Sequence, residues 1–277
     1  NGGSTPLANS VVPTGGSEVA LTTPSAIQSG LKLNVDITVT ANQLADFVLD
    51  FDACKSIVSA GNSGQYLLKP VVSVIPRLVS GVRGTVDASI AAGTTLVSLE
   101  QGGTVVKSTT PDSTGMYLLQ PVAPGTYDLV VSASGRATAV VTDVSVASGV
   151  VTSLSTGNGG LNPPSSASGA LVGTVSTGSV PVDASVRATQ ALSMGHVITV
   201  AQGSADAGTG AYAYTVPVGA PVVAPYVAAP TALSFTADTA AAGRYSLSAT
   251  NASGSVKNAG PFTLASSASL STNFSFP

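Results

Sequence analysis

Thr114-Gly115-Met116-Tyr117-Leu118-Leu119-Gln120-Pro121-Val122-Ala123-Pro124-Gly125-Thr126-Tyr127-Asp128-Leu129 is the stretch that decides the fold class. Met116 to Gln120 is a short apolar segment halted by a proline, which cannot donate to a central sheet ladder. Pro124-Gly125 then turns the chain, since proline presets φ and glycine accepts conformations that other residues avoid. Tyr127 begins an antiparallel return. One strand, one turn and one return strand set a grammar that the rest of the chain repeats.

Around this hairpin, strands are predicted at Val82–Val86, Thr95–Glu100, Val105–Thr109, Met116–Gln120, Tyr127–Ser132, Ala139–Val146 and Val150–Leu154. Turn signals separate them: Gln101-Gly102-Gly103, Pro111 to Gly115, Pro124-Gly125 and Ser134-Gly135. Seven short strands with turns about every 8–12 residues read as a sandwich. Upstream, Glu18 to Leu21 is one short strand candidate, and Leu31 to Val39 alternates apolar and polar as a strand with one wet face. Phe47 to Asp52 is a further strand, and Ala53 to Val58 suits a helical turn capped by Asp52. Gly61 to Gly64 is a turn. Tyr66 to Ile75 is a strand that Pro70 either splits or places at a sheet edge.

Downstream, Gly157-Asn158-Gly159-Gly160 and Pro163-Pro164-Ser165-Ser166 read as a linker, and then the grammar returns. Gly84-Thr85-Val86 recurs as Gly173-Thr174-Val175, Thr114-Gly115-Met116-Tyr117 as Thr209-Gly210-Ala211-Tyr212, and Gly125-Thr126-Tyr127 as Gly243-Arg244-Tyr245. The last two motifs lie farther apart in the second copy, so the Pro/Ala stretch from Val216 to Ala232 is an insertion. The expected organisation is all-β tandem antiparallel sandwiches, Ig-like or transthyretin-like, with almost no helix. It comprises an incomplete sandwich over 1–80, a second over 81–156, a linker over 157–168, and a diverged third over 169–277.

Composition agrees. Of 277 residues only 8% are charged, against roughly 25% in an average soluble protein, while 44% are hydrophobic and only 5% aromatic. Such a chain is poor in the charged faces of amphipathic surface helices. A net charge of −3 with 10 scattered basic residues leaves no electrostatic footprint for nucleic acid and no basic cluster for an anionic membrane. The longest apolar candidate for a membrane span, Ala220 to Leu233, is broken by Pro221, Pro225 and Pro230. The chain opens on Asn1 without a signal peptide and is expected to be a mature or trimmed product.

The run from Thr114 to Leu129 resembles the carboxypeptidase regulatory-like family, whose core pattern pairs two Gly-x-Tyr units across a proline turn. The resemblance implies a transthyretin-like sandwich used as a non-catalytic accessory or surface module. It is good over 81–156 and weaker over 169–277. The first region resembles the closing half of an uncharacterised domain of bacterial surface lipoproteins. This resemblance is carried by Leu21-Thr22-Thr23-Pro24-Ser25, Gln28 to Leu33, Leu49 to Val58 and Tyr66 to Pro70, over about residues 8 to 77. That family's opening half is missing, which implies an incomplete sandwich.

Candidate chemistry is sparse. His196 is the only histidine and reads as a surface or strand-end residue without a catalytic or metal role. One histidine and one cysteine do not make a typical zinc set. No Gly-x-Ser-x-Gly elbow supplies a triad nucleophile. Cys54, the single cysteine, cannot form an intramolecular disulfide and reads as a small buried hydrophobe. Asp50 and Asp52 lie two apart on one strand face, a weak calcium candidate whose bland alternative is a solvated Asp50 and a capping Asp52. Glu18 and Glu100, the two glutamates, lie far apart in sequence, and Gly157 to Gly160 lacks the Lys-Ser/Thr of a phosphate loop. The seven tyrosines (Tyr66, Tyr117, Tyr127, Tyr212, Tyr214, Tyr226, Tyr245) serve either core packing or a glycan platform.

The chain is therefore expected to be a non-enzymatic, cofactor-free protein of the bacterial cell surface or extracellular space. Its expected role is a structural subunit of a filament or surface layer, with copies of itself as partners through strand complementation. The missing half of its first domain is a second partner. The expected donors are Asn1 to Ser29 and the alternating tail Phe262 to Phe276. The alternative is an adhesion module recognising glycan or a cell-surface protein.

Overall fold

A computed structural model describes residues 9–13, 16–23, 33, 47–60, 64–76, 80–91, 94–154, 159–178 and 180–277. The alternating stretch expected as a strand at Leu31 to Val39 and most of the Gly61 to Gly64 turn lie outside the described residues. The described chain is nearly all β, as its short apolar runs and turn residues require.

The first unit holds β1 (Ser10–Val11), β2 (Val19–Thr22), β3 (Phe47–Phe51), α1 (Ala53–Ser56), β4 (Ile57–Ser59), β5 (Tyr66–Leu68) and β6 (Val72–Pro76). One sheet runs β1-β2-β5-β4, and β3 pairs with β6 separately. Pro70 splits the predicted Tyr66–Ile75 strand into β5 and β6, because a proline has no N–H to give the ladder. Asp52 caps α1, its Oδ1 accepting the Lys55 backbone N–H at 3.0 Å. Among its described residues, Val58 is the one buried apolar side chain, while Leu49 and Phe51 of β3 are 60% and 46% exposed.

The second unit contains β7 (Gly81–Thr85), α2 (Ala88–Ala91), β8 (Leu96–Gln101), β9 (Thr104–Thr109), β10 (Met116–Leu119), β11 (Gly125–Ser132), β12 (Ala139–Val146) and β13 (Val151–Ser153). Sheet β10-β7-β13 packs on sheet β12-β11-β8-β9 around Val82, Leu99, Leu119, Leu129 and Val141. The third unit contains β14 (Ser168–Ser176), β15 (Ala184–Ala191), β16 (Val197–Ser204), β17 (Ala211–Pro217), β18 (Val222–Pro225), β19 (Thr236–Ala237), a 3-10 turn (Thr239–Ala241), β20 (Arg244–Asn251), β21 (Val256–Thr263), β22 (Ser269–Ser271) and β23 (Phe274–Ser275). Its sheets are β17-β14-β22, with β23 also on β14, and β16-β15-β20-β21. With β18 and β19 set aside, the two units share one strand order.

The repeated motifs have a steric cause. Gly84 sits opposite Tyr117 across β7 and β10, and Gly173 sits opposite Tyr212 across β14 and β17. A Cβ on Gly84 would run into the Tyr117 ring, and one on Gly173 into the Thr272 carbonyl and then the Tyr212 ring. Gly115 and Gly210 adopt φ of +86° and +70°, where a side chain would strike the carbonyl of Val86 or Val175. Each of these turns is organised by an aspartate. Asp112 Oδ1 accepts from Thr114 N at 2.9 Å, and Asp206 Oδ1 accepts from Thr209 N at 2.8 Å.

The insertion between β17 and β20 does not stay with its own unit. β18 crosses to the second unit and pairs in parallel with β12, in the register Ala139↔Val222 to Thr142↔Pro225. β19 pairs on β18 and completes a six-stranded sheet, β19-β18-β12-β11-β8-β9. Val222, Tyr226, Leu233 and Phe235 of the insertion lie against the second unit's core. On the other side, Val223 joins Val130, Val140, Leu192, Ile198 and Ala241 in a hydrophobic cluster drawn from both units.

The described part of the segment expected as a linker, from Gly159 on, is likewise fastened. Leu161 is buried, its N–H donating to Thr85 O and its carbonyl accepting from Asp87 N, both at 2.9 Å, and Ala137 N donates to Pro164 O at 2.9 Å. The described parts of both expected donor segments complete their own units. β2 pairs with β5, and β23 pairs with β14 while Phe274 and Phe276 enter the third core. Among the described residues no helix is long and apolar enough to cross a membrane.

Val223→Asp tests the borrowed strand. A carboxylate forced into the apolar cluster costs several kcal/mol, about 3 or more. The second and third units are then expected to melt in two separate calorimetric transitions instead of one. An unchanged single transition would show that β18 does not couple them.

Candidate functional site

Strand alternation creates the seam between the second and third units. On β8, Val97 and Leu99 point into the second core, which turns Ser98 and Glu100 toward the third unit. On β11, Tyr127, Leu129 and Val131 point inward and Asp128 and Val130 outward. Asp128 stands opposite Glu100, and the β11–β12 register shifts at this point, so Thr142 and Asp143 together face Asp128. Asp143 takes the left-handed conformation, φ +58°, which aspartate tolerates better than most residues.

Backbone and side chains of the third unit answer these groups. Glu100 Oε2 accepts the Thr199 backbone N–H at 2.6 Å, and its Oε1 accepts from Ser98 Oγ at 3.0 Å. Thr199 Oγ1 donates to Gly103 O at 2.6 Å, and Arg187 Nη1 donates to Gly103 O at 3.0 Å and to Thr104 Oγ1 at 3.2 Å. His196 Nδ1 lies 3.0 Å from Asp128 Oδ2, and its Nε2 lies 3.6 Å from Asp143 Oδ2. A cleft of about 350 Å³ adjoins the seam, lined by Gly103, Arg187, Thr189, Val197 and Asn258 among others.

Glu100 is fully buried. That desolvation pushes its carboxyl up to about 7, reinforced by the charge of Asp128 and opposed by the bonds from Thr199 and Ser98 and by Arg187. The geometry suits the neutral acid too, since a protonated Oε1 can donate to Ser98 Oγ while Oε2 still accepts from Thr199.

Of the residues singled out in the sequence, His196 and Glu100 meet at this seam, and the calcium candidates, Cys54 and the tyrosines lie elsewhere. Asp50 is paired with Lys107 of β9 at 2.7 Å, and Asp52 caps α1 and pairs with Lys55 at 2.9 Å, so two different lysines hold the calcium candidates. Burial raises the Asp52 pKa, but the hydrogen bonds and charge of Lys55 outweigh it and the net direction is downward. Cys54, expected to be buried, is exposed, because the single turn of α1 buries only Ser56. Cys54 borders a second cleft of about 270 Å³ between the first and third units, with Val58, Tyr212 and Tyr214. The tyrosines form no glycan platform where they are buried. Tyr117, Tyr127, Tyr212 and Tyr245 pack in the cores, and the hydroxyls of Tyr127, Tyr212 and Tyr214 donate to the carbonyls of Ala123, Thr272 and Val186 at 2.9, 2.7 and 2.6 Å.

Sequence reasoning missed the seam carboxylates. The signal was the unbroken apolar run Leu129-Val130-Val131 beside Asp128. In an antiparallel sheet an unbroken apolar run means that both faces are covered, so a neighbouring carboxylate is covered as well.

Residues 6–70 match a protein family described as a domain of unknown function, DUF4382. The match falls on the first unit, whose described residues are rich in β-strand. No curated protein matches the chain. A solved structure, the TIE protein of Bacillus anthracis, aligns at 13% identity and a TM-score of 0.23, covering 84% of this chain and 41% of that one.

The buried glutamate sets a pH dependence. Its folded-state pKa, about 7, stands above the reference of 4.5, so the folded protein holds the proton more tightly than the unfolded chain does. Stability from this group is therefore full below about pH 4.5 and falls as pH rises to about 7, by at most about 3 kcal/mol. Thermal melts from pH 5 to 8 are expected to show a falling melting temperature that Glu100→Gln flattens. Equal slopes in both proteins would assign the dependence to other groups.

Proposed function

We propose that the chain is a non-catalytic structural module of the bacterial exterior, in which tandem sandwiches are fused into one stiff body. The second and third units are read as carboxypeptidase regulatory-like modules, supported by their shared strand order and their matched glycine–tyrosine pairs. The observation that carries the reading is the borrowed strand β18, which joins two cores through main-chain hydrogen bonds where a flexible linker would let them swing. The first unit is clipped to both others, by Asp50–Lys107 at 2.7 Å and by Lys69–Asp183 at 2.9 Å. Load passed along such a chain is resisted by sheet ladders, and mechanical continuity is the need of a surface stalk, layer or fibre.

In the finer form of this reading, copies assemble through strand complementation at the first unit. Its β3 exposes Leu49 and Phe51, and a strand from another copy packed on the β3–β6 pair would cover both. Head-to-tail addition of this kind does not close on itself and yields a fibre.

Negative-stain microscopy and light scattering of the purified chain test the reading. Fibres or large oligomers are expected from the parent, and a Leu49→Arg, Phe51→Arg double variant is expected to stay monomeric. A parent that remains monomeric at hundreds of micromolar, or a variant that assembles like it, would remove strand complementation from the account.

A further inference from the structure

We propose that Asp143 and His196 form a site for a divalent transition-metal ion, zinc by preference, that staples the second unit to the third. The two distances at His196 differ in kind. At 3.0 Å, Nδ1–H donates a hydrogen bond to the Asp128 carboxylate. In the neutral imidazole that bond selects the Nδ1–H tautomer and leaves the Nε2 lone pair directed away from Asp128. Nε2 lies 3.6 Å from Asp143 Oδ2, too far for a good hydrogen bond. It is close to the separation of about 3.4 Å between two ligands held on one zinc by bonds of about 2.0–2.1 Å at a tetrahedral angle.

Asp128 then acts as the orienting carboxylate behind a metal-binding imidazole. It is well placed for that task. Its side chain is 8% exposed, and its Oδ1 accepts the Asp143 backbone N–H at 3.3 Å, so one buried group positions both ligands. One ligand atom from each of Asp128, Asp143 and His196 lies within 4.8 Å of those of the other two.

The ligand-bearing turn is also held from the other side. Leu192 N donates to His196 O at 2.8 Å, and Ser193 N and Oγ both donate to the Asp238 carboxylate at 2.6 Å. Asp238 follows β19, so the insertion that fuses the units also fixes the turn that presents His196. Asp143 is 62% exposed, which leaves the remaining coordination positions to water. Asp128 adds negative charge from within the seam, and Arg187 is the cation whose charge reaches Glu100. An imidazole beside a carboxylate favours zinc, nickel or copper, whereas calcium and magnesium prefer oxygen ligands alone.

Isothermal titration of the EDTA-stripped full chain with zinc chloride at pH 7.5 tests the site. One zinc per chain is expected, with micromolar affinity, a melting temperature raised by a few degrees, and no competition from calcium. His196→Ala and Asp143→Asn are expected to abolish binding. Asp128→Asn, which alters the group behind the two ligands and not a ligand itself, is expected to weaken it roughly 10–100-fold. Asp50→Asn serves as the control and is expected to bind like the parent. Because the chain has a single histidine, ¹⁵N spectra of the imidazole read the geometry directly, with zinc moving Nε2 while Nδ1 keeps its proton. Circular dichroism confirms the fold of each variant. Binding that survives His196→Ala in a folded protein, metal on Nδ1, or substoichiometric uptake would overturn the proposal and leave an Asp128–His196–Asp143 ion-pair relay in its place.

Discussion

A sheet edge leaves a row of N–H and C=O groups in need of partners, and burying that edge without a partner costs a lost hydrogen bond at every group. β12 is such an edge in the second unit, and the third unit supplies β18 to cover it. The rest follows from that pairing. To reach β12, the chain between β17 and β20 must leave its own sandwich, cross the seam and return, which is why the second copy of the repeat carries extra residues. Once β18 is in place, Val223 lies over Val130 and Val140, and the facing turn of the third unit brings Leu192 and Ile198 onto the same cluster.

The apolar cluster in turn determines the chemistry of its polar border. With water displaced beside it, Glu100, Asp128 and Thr199 must bond to one another's neighbours or remain unsatisfied. Glu100 meets this need with a backbone N–H from the other unit, and Asp128 with the lone histidine. A chain with so few charged residues has thus gathered several of them at one joint, where they specify how the two units dock as well as adding to adhesion. The first unit shows the opposite balance. Its described residues bury a single apolar side chain, Val58, and it leans on the other two through exposed and half-exposed lysine–aspartate pairs, each worth little alone.

Much of the fold was legible because local sterics dictated it. Pro70 could only split a strand or sit at an edge, and it splits one; Asp52 suited a cap, and it caps α1. The repeat was visible as short glycine and tyrosine motifs recurring in one order, and the register then set Gly84 and Gly173 opposite tyrosines. What escaped was structure that depends on a distant neighbour. The Gly/Pro-rich stretch after residue 156 carries every mark of a linker, yet its described part is bonded to the second unit because Leu161 finds a place in that core. Cys54 looked apolar enough to be buried, but α1 is one turn long and turns only Ser56 inward. The turn α2 had no periodicity to announce it and forms where Asp87 accepts from Ser89 N at 2.9 Å.

The sequence by itself determined the all-β class, most strand and turn positions, the duplication of one strand order and the place of the insertion. The strands and turns rest on near neighbours, through alternation, proline and glycine, and the duplication on the same local motifs recurring in one order. Only the tertiary structure decided that the insertion belongs to its neighbour's sheet, and that Glu100, Asp128, Asp143 and His196 meet at one seam. The physical reason is that strand addition uses backbone groups, which are the same at every residue and leave no signature in the side chains. A cluster drawn from four different strands and turns is likewise defined by register and docking, which no local pattern encodes.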